Sequence, residues 1–123
     1  LVVREHERVD AVLSRVAFSA QPIFPVVNAD ARLAGILPVG ALARVARDTE
    51  ALSTLIVADL SEDTPAVTLE TPLDEVLRRM GARDLAALPV VDGPDGRLMG
   101  LITRSHLTRV VERAVLLERP MTT

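Results

Sequence analysis

The feature of this sequence that most constrains its fold is an internal repeat. The aligned segments are 9–16 with 73–80, 24–28 with 88–92, and 32–37 with 97–102. The offset is 64 residues up to Asn28 and Asp92, and 65 residues from Asp30 and Asp95 onward. A duplicated unit of this size predicts two similar halves related by a pseudo-two-fold axis, with the sites of the molecule formed between them.

The composition indicates one small globular module. The chain has 123 residues, of which 49% are apolar, so it can bury a core. Each half alone is near the size at which a core barely stabilises a fold, so we expect the halves to share one core. Nucleic acid is not an expected partner, because the net charge is −3 and there is no Trp or Tyr for base stacking.

Several protein classes are disfavoured by what the sequence lacks. There is no Cys, so no disulfide framework or thiolate site is expected, which fits a reducing compartment. No apolar run approaches the ~20 residues that a membrane span needs, and charged residues interrupt the N-terminus where a signal peptide would be apolar. The chain begins with Leu1, and we expect it to be part of a longer protein.

Each copy is predicted to have the order β-α-β-β-α. Thr71 as N-cap and Pro72 at the first helical position mark a helix start in the second copy. Asp92 to Gly96 reads as a hairpin turn in which Gly supplies positive φ. The expected elements of this copy are a strand over 66–69, a helix to about 83, strands over 88–91 and 98–102, and a helix after Thr103 with Leu107, Val110, Val111 and Ala114 on one face.

The first copy is predicted to be a less regular version of the second. Its expected elements are a short strand over 1–3, a helix over 9–17, strands over 24–27 and 33–37, and a helix over 39–47. The domain organisation is therefore 1–47 for the first repeat, 48–65 for a connecting segment, and 66–123 for the second repeat. Within the connecting segment, residues 52–60 are apolar enough to pack, and 61–65 read as a loop.

The pattern Leu-Pro-Val-Val-Asp over 88–92, a Gly-containing turn and Arg-Leu-x-Gly-Leu-Ile-Thr-Arg-Ser over 97–105 resembles the cystathionine-β-synthase-type (CBS) domain. The resemblance covers the chain as a tandem pair, a Bateman-type module of α+β (α/β) class with pseudo-two-fold symmetry. It implies a regulatory module without catalytic activity or a metal. Such pairs bind adenosine-containing ligands, such as ATP, ADP, AMP or S-adenosylmethionine, between the repeats. They often form homodimers attached to transporters, channels or enzymes.

A second resemblance concerns the connecting segment. Residues 52–60, entering the second repeat, look like the cytoplasmic tail of bacterial chloride-channel-type (ClC) transporters. This resemblance implies an attached transmembrane domain that conducts ions and a position at the cytoplasmic face of the inner membrane.

The ligand motif of the CBS family is Gly-h-h-Thr/Ser-x-x-Asp, in which h is apolar, the hydroxyl contacts phosphate and the Asp binds ribose. In the second copy Thr103 matches the hydroxyl, and His106 replaces the Asp. A neutral imidazole accepts one hydrogen bond, whereas a carboxylate can take two from a diol. Arg104 and a protonated His106 would favour phosphate. Alternatively, Thr103 is only an N-cap and His106 a solvated residue of the first helical turn.

The resemblance also implies two clefts, each lined by both repeats. The first would join Thr103, Arg104 and His106 to Val2, Val3, Pro22 and Ile23. The second would join Pro38 and Ala41, which replace the hydroxyl and the Asp in the first copy, to Thr64, Pro65, Ala66, Val67, Ala86 and Ala87. Because Pro38 and Ala41 carry no polar group, we expect one weak nucleotide site near Thr103, or none.

Two other functions need to be weighed. Catalysis has little support, since no Ser lies in a Gly-x-Ser-x-Gly elbow and the two histidines, His6 and His106, lack partners at metal-ligand spacing. The stronger alternative is a structural dimerisation module whose clefts bind nothing. Apolar residues of the first helices could then form the dimer face or belong to the intrachain core; these are Val12, Val16, Val76 and Met80.

Overall fold

The computed structural model describes residues 1–107. In chain order the elements are β1 (Val3–Arg4), α1 (Val9–Val16), β2 (Ile23–Val27), β3 (Leu33–Pro38), α2 (Val39–Val45), α3 (Thr49–Thr54), α4 (Val57–Leu60), α5 (Leu73–Ala82), β4 (Ala87–Val91) and β5 (Leu98–Thr103). Residues 104–107 begin a further helix. The predicted positions Val110, Val111 and Ala114 of that helix lie outside the described residues.

The first copy has the predicted order β-α-β-β-α. Its strands form one sheet in the order β1-β2-β3, with β1 parallel and β3 antiparallel to β2. The opening strand comprises Val3 and Arg4 and not residues 1–3, because the parallel register begins where Val3 lies beside Val26. Val3 is completely buried there.

In the second copy the opening strand is reduced to one bridging residue. Val67 lies parallel to Val90; its N–H donates to the carbonyl of Pro89 (3.0 Å), and its carbonyl accepts from the Val91 N–H (2.8 Å). The predicted strand over 66–69 is therefore wrong beyond this residue. The backbone turns directly after Val67, where the Thr71 hydroxyl accepts from the Thr68 N–H (2.9 Å).

Helices α1 and α5 bury their apolar stripes within the chain. Val12 and Val16 on α1, and Val76 and Met80 on α5, are each at most 6% exposed. Burial of such side chains stabilises a fold by roughly 1.5–3 kcal/mol each, so they form intrachain core. The prediction that these four residues could form a dimer face is therefore wrong.

Within residues 1–107, three apolar clusters hold the fold together. One lies inside each copy, and the third joins the copies through Ile23, Ile36 and Ala87, with Leu101 packed against them. Ile23 is the repeat counterpart of Ala87, and Ile36 is the counterpart of Leu101. Equivalent residues of both copies thus meet in one shared core, as the small size of each half requires.

The hairpin turns of the two copies also pair with each other. Arg32 lies in an antiparallel bridge with Arg97. The Leu33 N–H donates to the Gly96 carbonyl (2.9 Å), and the Leu98 N–H donates to the Ala31 carbonyl (3.0 Å). Since each bond is the repeat counterpart of the other, the pseudo-two-fold axis passes between Arg32 and Arg97.

The connecting segment is folded onto the first copy. Asp48 caps α3 by accepting from the Ala51 N–H (3.1 Å), and Val57 at the start of α4 is completely buried. Leu52, Leu55 and Leu60 pack against the core of the first copy, so the prediction that residues 52–60 pack is confirmed. Residues 61–65 therefore begin at a point that is fixed against the core of the first copy.

Candidate ligand clefts between the two copies

The first cleft contains a cavity of about 250 Å³ between the copies. It is lined by Leu1, Val2, Gln21 and Pro25 from the first copy, and by Leu98, Met99, Gly100 and Leu101 from β5. The Gln21 amide group holds one wall in place, since its nitrogen donates to the carbonyls of Leu1 and Ile23, both at 3.1 Å. The lining is thus largely apolar, with one amide and the backbone of β5 as its polar groups.

The Thr103–His106 segment lies where β5 passes into the helix that begins at residue 104. The Thr103 hydroxyl accepts from the His106 N–H (3.2 Å), so Thr103 is an N-cap, as one of the two interpretations of the sequence stated. Both His106 and Arg104 are exposed. A guanidinium nitrogen of Arg104 lies 3.0 Å from a carboxylate oxygen of Asp84.

Two residues that were assigned to the first cleft lie in the core instead. Val3 is completely buried inside the first copy, and Ile23 is in the cluster that joins the copies. Pro22 is half-buried. The wall at this point is made by Val2 and Gln21. Sequence reasoning missed Gln21, although its position directly before Pro22, three residues ahead of the predicted strand over 24–27, was an available signal.

The second cleft lacks polar side chains at the positions of the family motif. Ala41, the counterpart of His106, is 2% exposed and packs in the first core, as the alternative interpretation stated. Pro38, the counterpart of Thr103, ends β3 and is half-buried. The opposite wall has Thr64, Pro65 and Ala66, all half-buried, whereas Ala87 is taken up by the shared cluster.

The connecting segment covers the edge of β3 beside the second cleft. The Ile36 N–H donates to the Glu62 carbonyl (2.9 Å), and the Glu62 N–H donates to the Ile36 carbonyl (2.8 Å). A Cβ added to Gly35 would lie 2.7 Å from the Glu62 carbonyl oxygen and closer still to the Ser61 hydroxyl. By contrast, a Cβ added to the counterpart Gly100 would meet nothing within 4 Å. The two clefts therefore differ in cover as well as in side chains.

A matched pair of arginines fixes the segments that form the cleft walls. Arg15 on α1 donates to the Val2 carbonyl (3.0 Å), and its counterpart Arg79 on α5 donates to the Ala66 carbonyl (2.7 Å). Arg15 also pairs with Glu7 (2.6 Å), and this hydrogen bond holds the pKa of the Glu7 carboxyl below its usual value. Both walls are thus attached to the first helix of their own copy.

Two further site classes are not found in the described part of the chain. Residues 1–107 contain no group of three or more His, Asp or Glu side chains placed to hold a metal ion. Within the same residues, no helix is long and apolar enough to cross a membrane.

Comparisons with known proteins agree with this architecture. A family model described as "CBS domain" matches residues 57–113. The crystal structure of CBSX2 in complex with AMP is 27% identical, with a TM-score of 0.78, over 97% of this chain and 90% of that one. The cytosolic domain of the Mg²⁺ channel MgtE in complex with ATP is 32% identical, with a TM-score of 0.72, over 89% of this chain and 44% of that one.

One curated relative is an enzyme. A homoserine O-acetyltransferase from Methanohalobium evestigatum is 25% identical over 89 residues, which are 72% of this chain. This chain spans only 17% of that enzyme's length.

Proposed function

From the premise that residues 57–113 are a CBS domain and that the chain has the mixed α+β CBS-domain fold, we propose that it is a regulatory module. It binds an adenosine-containing ligand at the Thr103–His106 end of the first cleft. Occupancy of the cleft then alters a larger protein to which the module is attached.

The asymmetry between the two clefts carries this proposal. The segment assigned to the first cleft carries a hydroxyl, a guanidinium and an imidazole at Thr103, Arg104 and His106, and the last two are exposed. These three residues follow β5 and are not among those that line the cavity of about 250 Å³. These groups suit phosphate, because cationic donors form the stronger class of hydrogen bonds to phosphate oxygens. Their counterparts in the second cleft include Pro38 and a buried Ala41, which offer no polar side chain. One ligand per chain is therefore expected.

The ligand class is supported by the two similar structures, which are in complex with AMP and ATP. Because His106 stands where the family has the ribose-binding Asp, we expect recognition through phosphate more than through ribose. ATP, ADP and AMP should therefore bind more tightly than S-adenosylmethionine, which carries no phosphate.

We propose a membrane transport protein as the host, with the module at the cytoplasmic face of the inner membrane. The similarity to the MgtE domain supports an ion transporter. The comparisons do not support the chloride-channel-type host that residues 52–60 suggested. The acetyltransferase relative makes a soluble enzyme the alternative host. We further propose a homodimer; Leu73 and Leu77 on α5, each nearly half exposed, can contribute to its face.

The ligand proposal can be tested by isothermal titration calorimetry and thermal unfolding with AMP, ADP, ATP and S-adenosylmethionine. A ligand that binds only the folded state stabilises it by about 2.7 kcal/mol when its concentration is 100 times Kd. His106→Ala and Thr103→Val should each weaken binding, because each substitution removes a group that is assigned to phosphate. His6→Ala, at an exposed histidine distant in sequence from this segment, is the matched control and should bind normally. Absence of heat and of thermal shift at millimolar ligand would refute the proposal.

The structural module without ligands is the second candidate. It is favoured by the absence of the ribose Asp from both copies and by the burial of Ile23 and Ala87, which the resemblance placed at the ligand. This candidate predicts a dimer in sedimentation analysis whose unfolding temperature does not change with any of the four ligands.

A further inference from the structure

The two hairpin turns place a pair of arginines side by side at the pseudo-two-fold axis. Arg32 and Arg97 lie opposite each other in the antiparallel bridge between the turns. The residues on either side of them exchange the two backbone hydrogen bonds, at 2.9 and 3.0 Å, which is the pattern of a non-hydrogen-bonded pair. The side chains of such a pair leave the same face, with Cβ atoms about 4.5–5.5 Å apart. Two guanidinium groups therefore start from neighbouring points on the surface.

The backbone of each arginine is held by its own turn. The Asn28 N–H donates to the Arg32 carbonyl (3.0 Å), and the Asn28 side-chain oxygen accepts from the Arg32 N–H (3.1 Å). In the second copy the Asp92 N–H donates to the Arg97 carbonyl (2.8 Å). The spacing of the two arginines is thus set by the fold, and only rotation of the side chains can separate their charges.

The positive charge of this pair is not balanced by a neighbouring carboxylate. Both arginines are exposed, and within residues 1–107 neither of them forms an ion pair. The turns carry Asp30 and Asp95, which are also exposed and pair with neither arginine in that part of the chain. Like charges directly opposite each other on two strands destabilise the pairing. A bound anion would relieve this repulsion.

We propose that Arg32 and Arg97 form an anion site at the pseudo-two-fold axis, and that its ligand is a phosphate group. The planar fork of a guanidinium donates two parallel hydrogen bonds to phosphate oxygens. A phosphate dianion neutralises both arginines with one group, whereas a carboxylate carries a single charge. The inference goes beyond the proposed function, because Arg97 and Thr103 are separated by the length of β5, about 20 Å for six residues of strand.

Urea unfolding in phosphate and in chloride, at equal ionic strength, tests this proposal with inorganic phosphate as the probe. At about pH 8 phosphate carries close to two negative charges. The ratio of folded to unfolded protein should rise about ten-fold when phosphate reaches about nine times its Kd. Arg97→Glu places a carboxylate opposite Arg32, so it should raise the urea midpoint in chloride and remove the gain from phosphate. Arg47→Glu, the same change at an exposed arginine after α2, is the matched control and should keep the gain.

The variants also separate this site from the nucleotide cleft. Arg104→Gln should keep the gain from phosphate that depends on Arg97, even if it weakens binding of a nucleotide. The proposal is overturned if Arg97→Glu keeps the gain, or if Arg104→Gln alone removes it. An equal gain from malonate, a dicarboxylate, would overturn the assignment to phosphate.

Discussion

Substitution of Gly35 by Ala should separate the connecting segment from β3 and destabilise the protein. The new Cβ would lie 2.7 Å from the Glu62 carbonyl oxygen, which is backbone and cannot rotate away. The two hydrogen bonds between Ile36 and Glu62 would lengthen or break. The corresponding Gly100→Ala change meets no atom within 4 Å and is the matched control at the equivalent position.

The magnitude follows from these contacts. Two backbone hydrogen bonds are worth about 0.5–1.5 kcal/mol each, and forced overpacking costs about 1–3 kcal/mol. Ala in place of Gly in a strand recovers roughly 0.5–1 kcal/mol of backbone entropy. We therefore expect Gly35→Ala to lose about 1–5 kcal/mol of stability, and Gly100→Ala to be neutral or more stable by about 0.5 kcal/mol.

Urea unfolding followed by far-UV circular dichroism is the suitable assay, because the chain has no Trp or Tyr to report by fluorescence. Amide exchange at Glu62 and Ile36 should accelerate in Gly35→Ala and remain unchanged in Gly100→Ala. Adding Ser61→Gly to Gly35→Ala should recover only part of the loss, since the clash with the Glu62 backbone remains. Equal stability of the two alanine variants would refute the reasoning.

Three further predictions concern other parts of the fold. Ala31 has a left-handed backbone (φ 62°), so Ala31→Gly should raise the free energy of unfolding by about 0.5–1 kcal/mol. The urea midpoint should rise accordingly, and an unchanged midpoint would contradict this. Arg79→Met should remove the bond to the Ala66 carbonyl, cost about 1 kcal/mol, and speed amide exchange at the residues that follow; unchanged exchange would contradict it. Because the pKa of Glu7 is lowered in the fold, its contribution is present above about pH 4.5 and is lost as the pH falls through the folded value. The free energy of unfolding, measured at several values between pH 7 and pH 3, should therefore fall more in the original chain than in Glu7→Gln.

The local pattern of residues was sufficient to predict most of the secondary structure. The apolar spacing of Val76 and Met80 predicted α5, and the Pro-Val-Val strands of both copies lie where predicted. The predicted N-cap of α5 is wrong: Pro72 is the N-cap, and the Thr71 hydroxyl accepts from the Thr68 N–H instead of capping the helix. The α+β class and the CBS-type fold are confirmed. These features follow from the sequence because helix periodicity, capping and turn chemistry depend on residues only a few positions apart.

The candidate site was predictable only in part. The structure brings Thr103, Arg104 and His106 together, because they are consecutive in one short segment. It withdraws Val3 and Ile23 into the core, because Val3 lies beside Val26 inside the first copy and Ile23 packs between the copies. Burial of a particular strand residue depends on register, and the sequence does not state the register.

Only the tertiary structure decided which strand edges and which faces are covered. Nothing in the sequence predicts that Arg32 lies beside Arg97, that Ile23 meets Ala87, or that Glu62 closes the edge at Ile36. These contacts join residues that are 26 to 65 positions apart, so they depend on how the whole chain closes and not on local preference. The repeat predicted two equivalent clefts; the path of the connecting segment makes them different, covering the strand edge beside one and leaving it open beside the other.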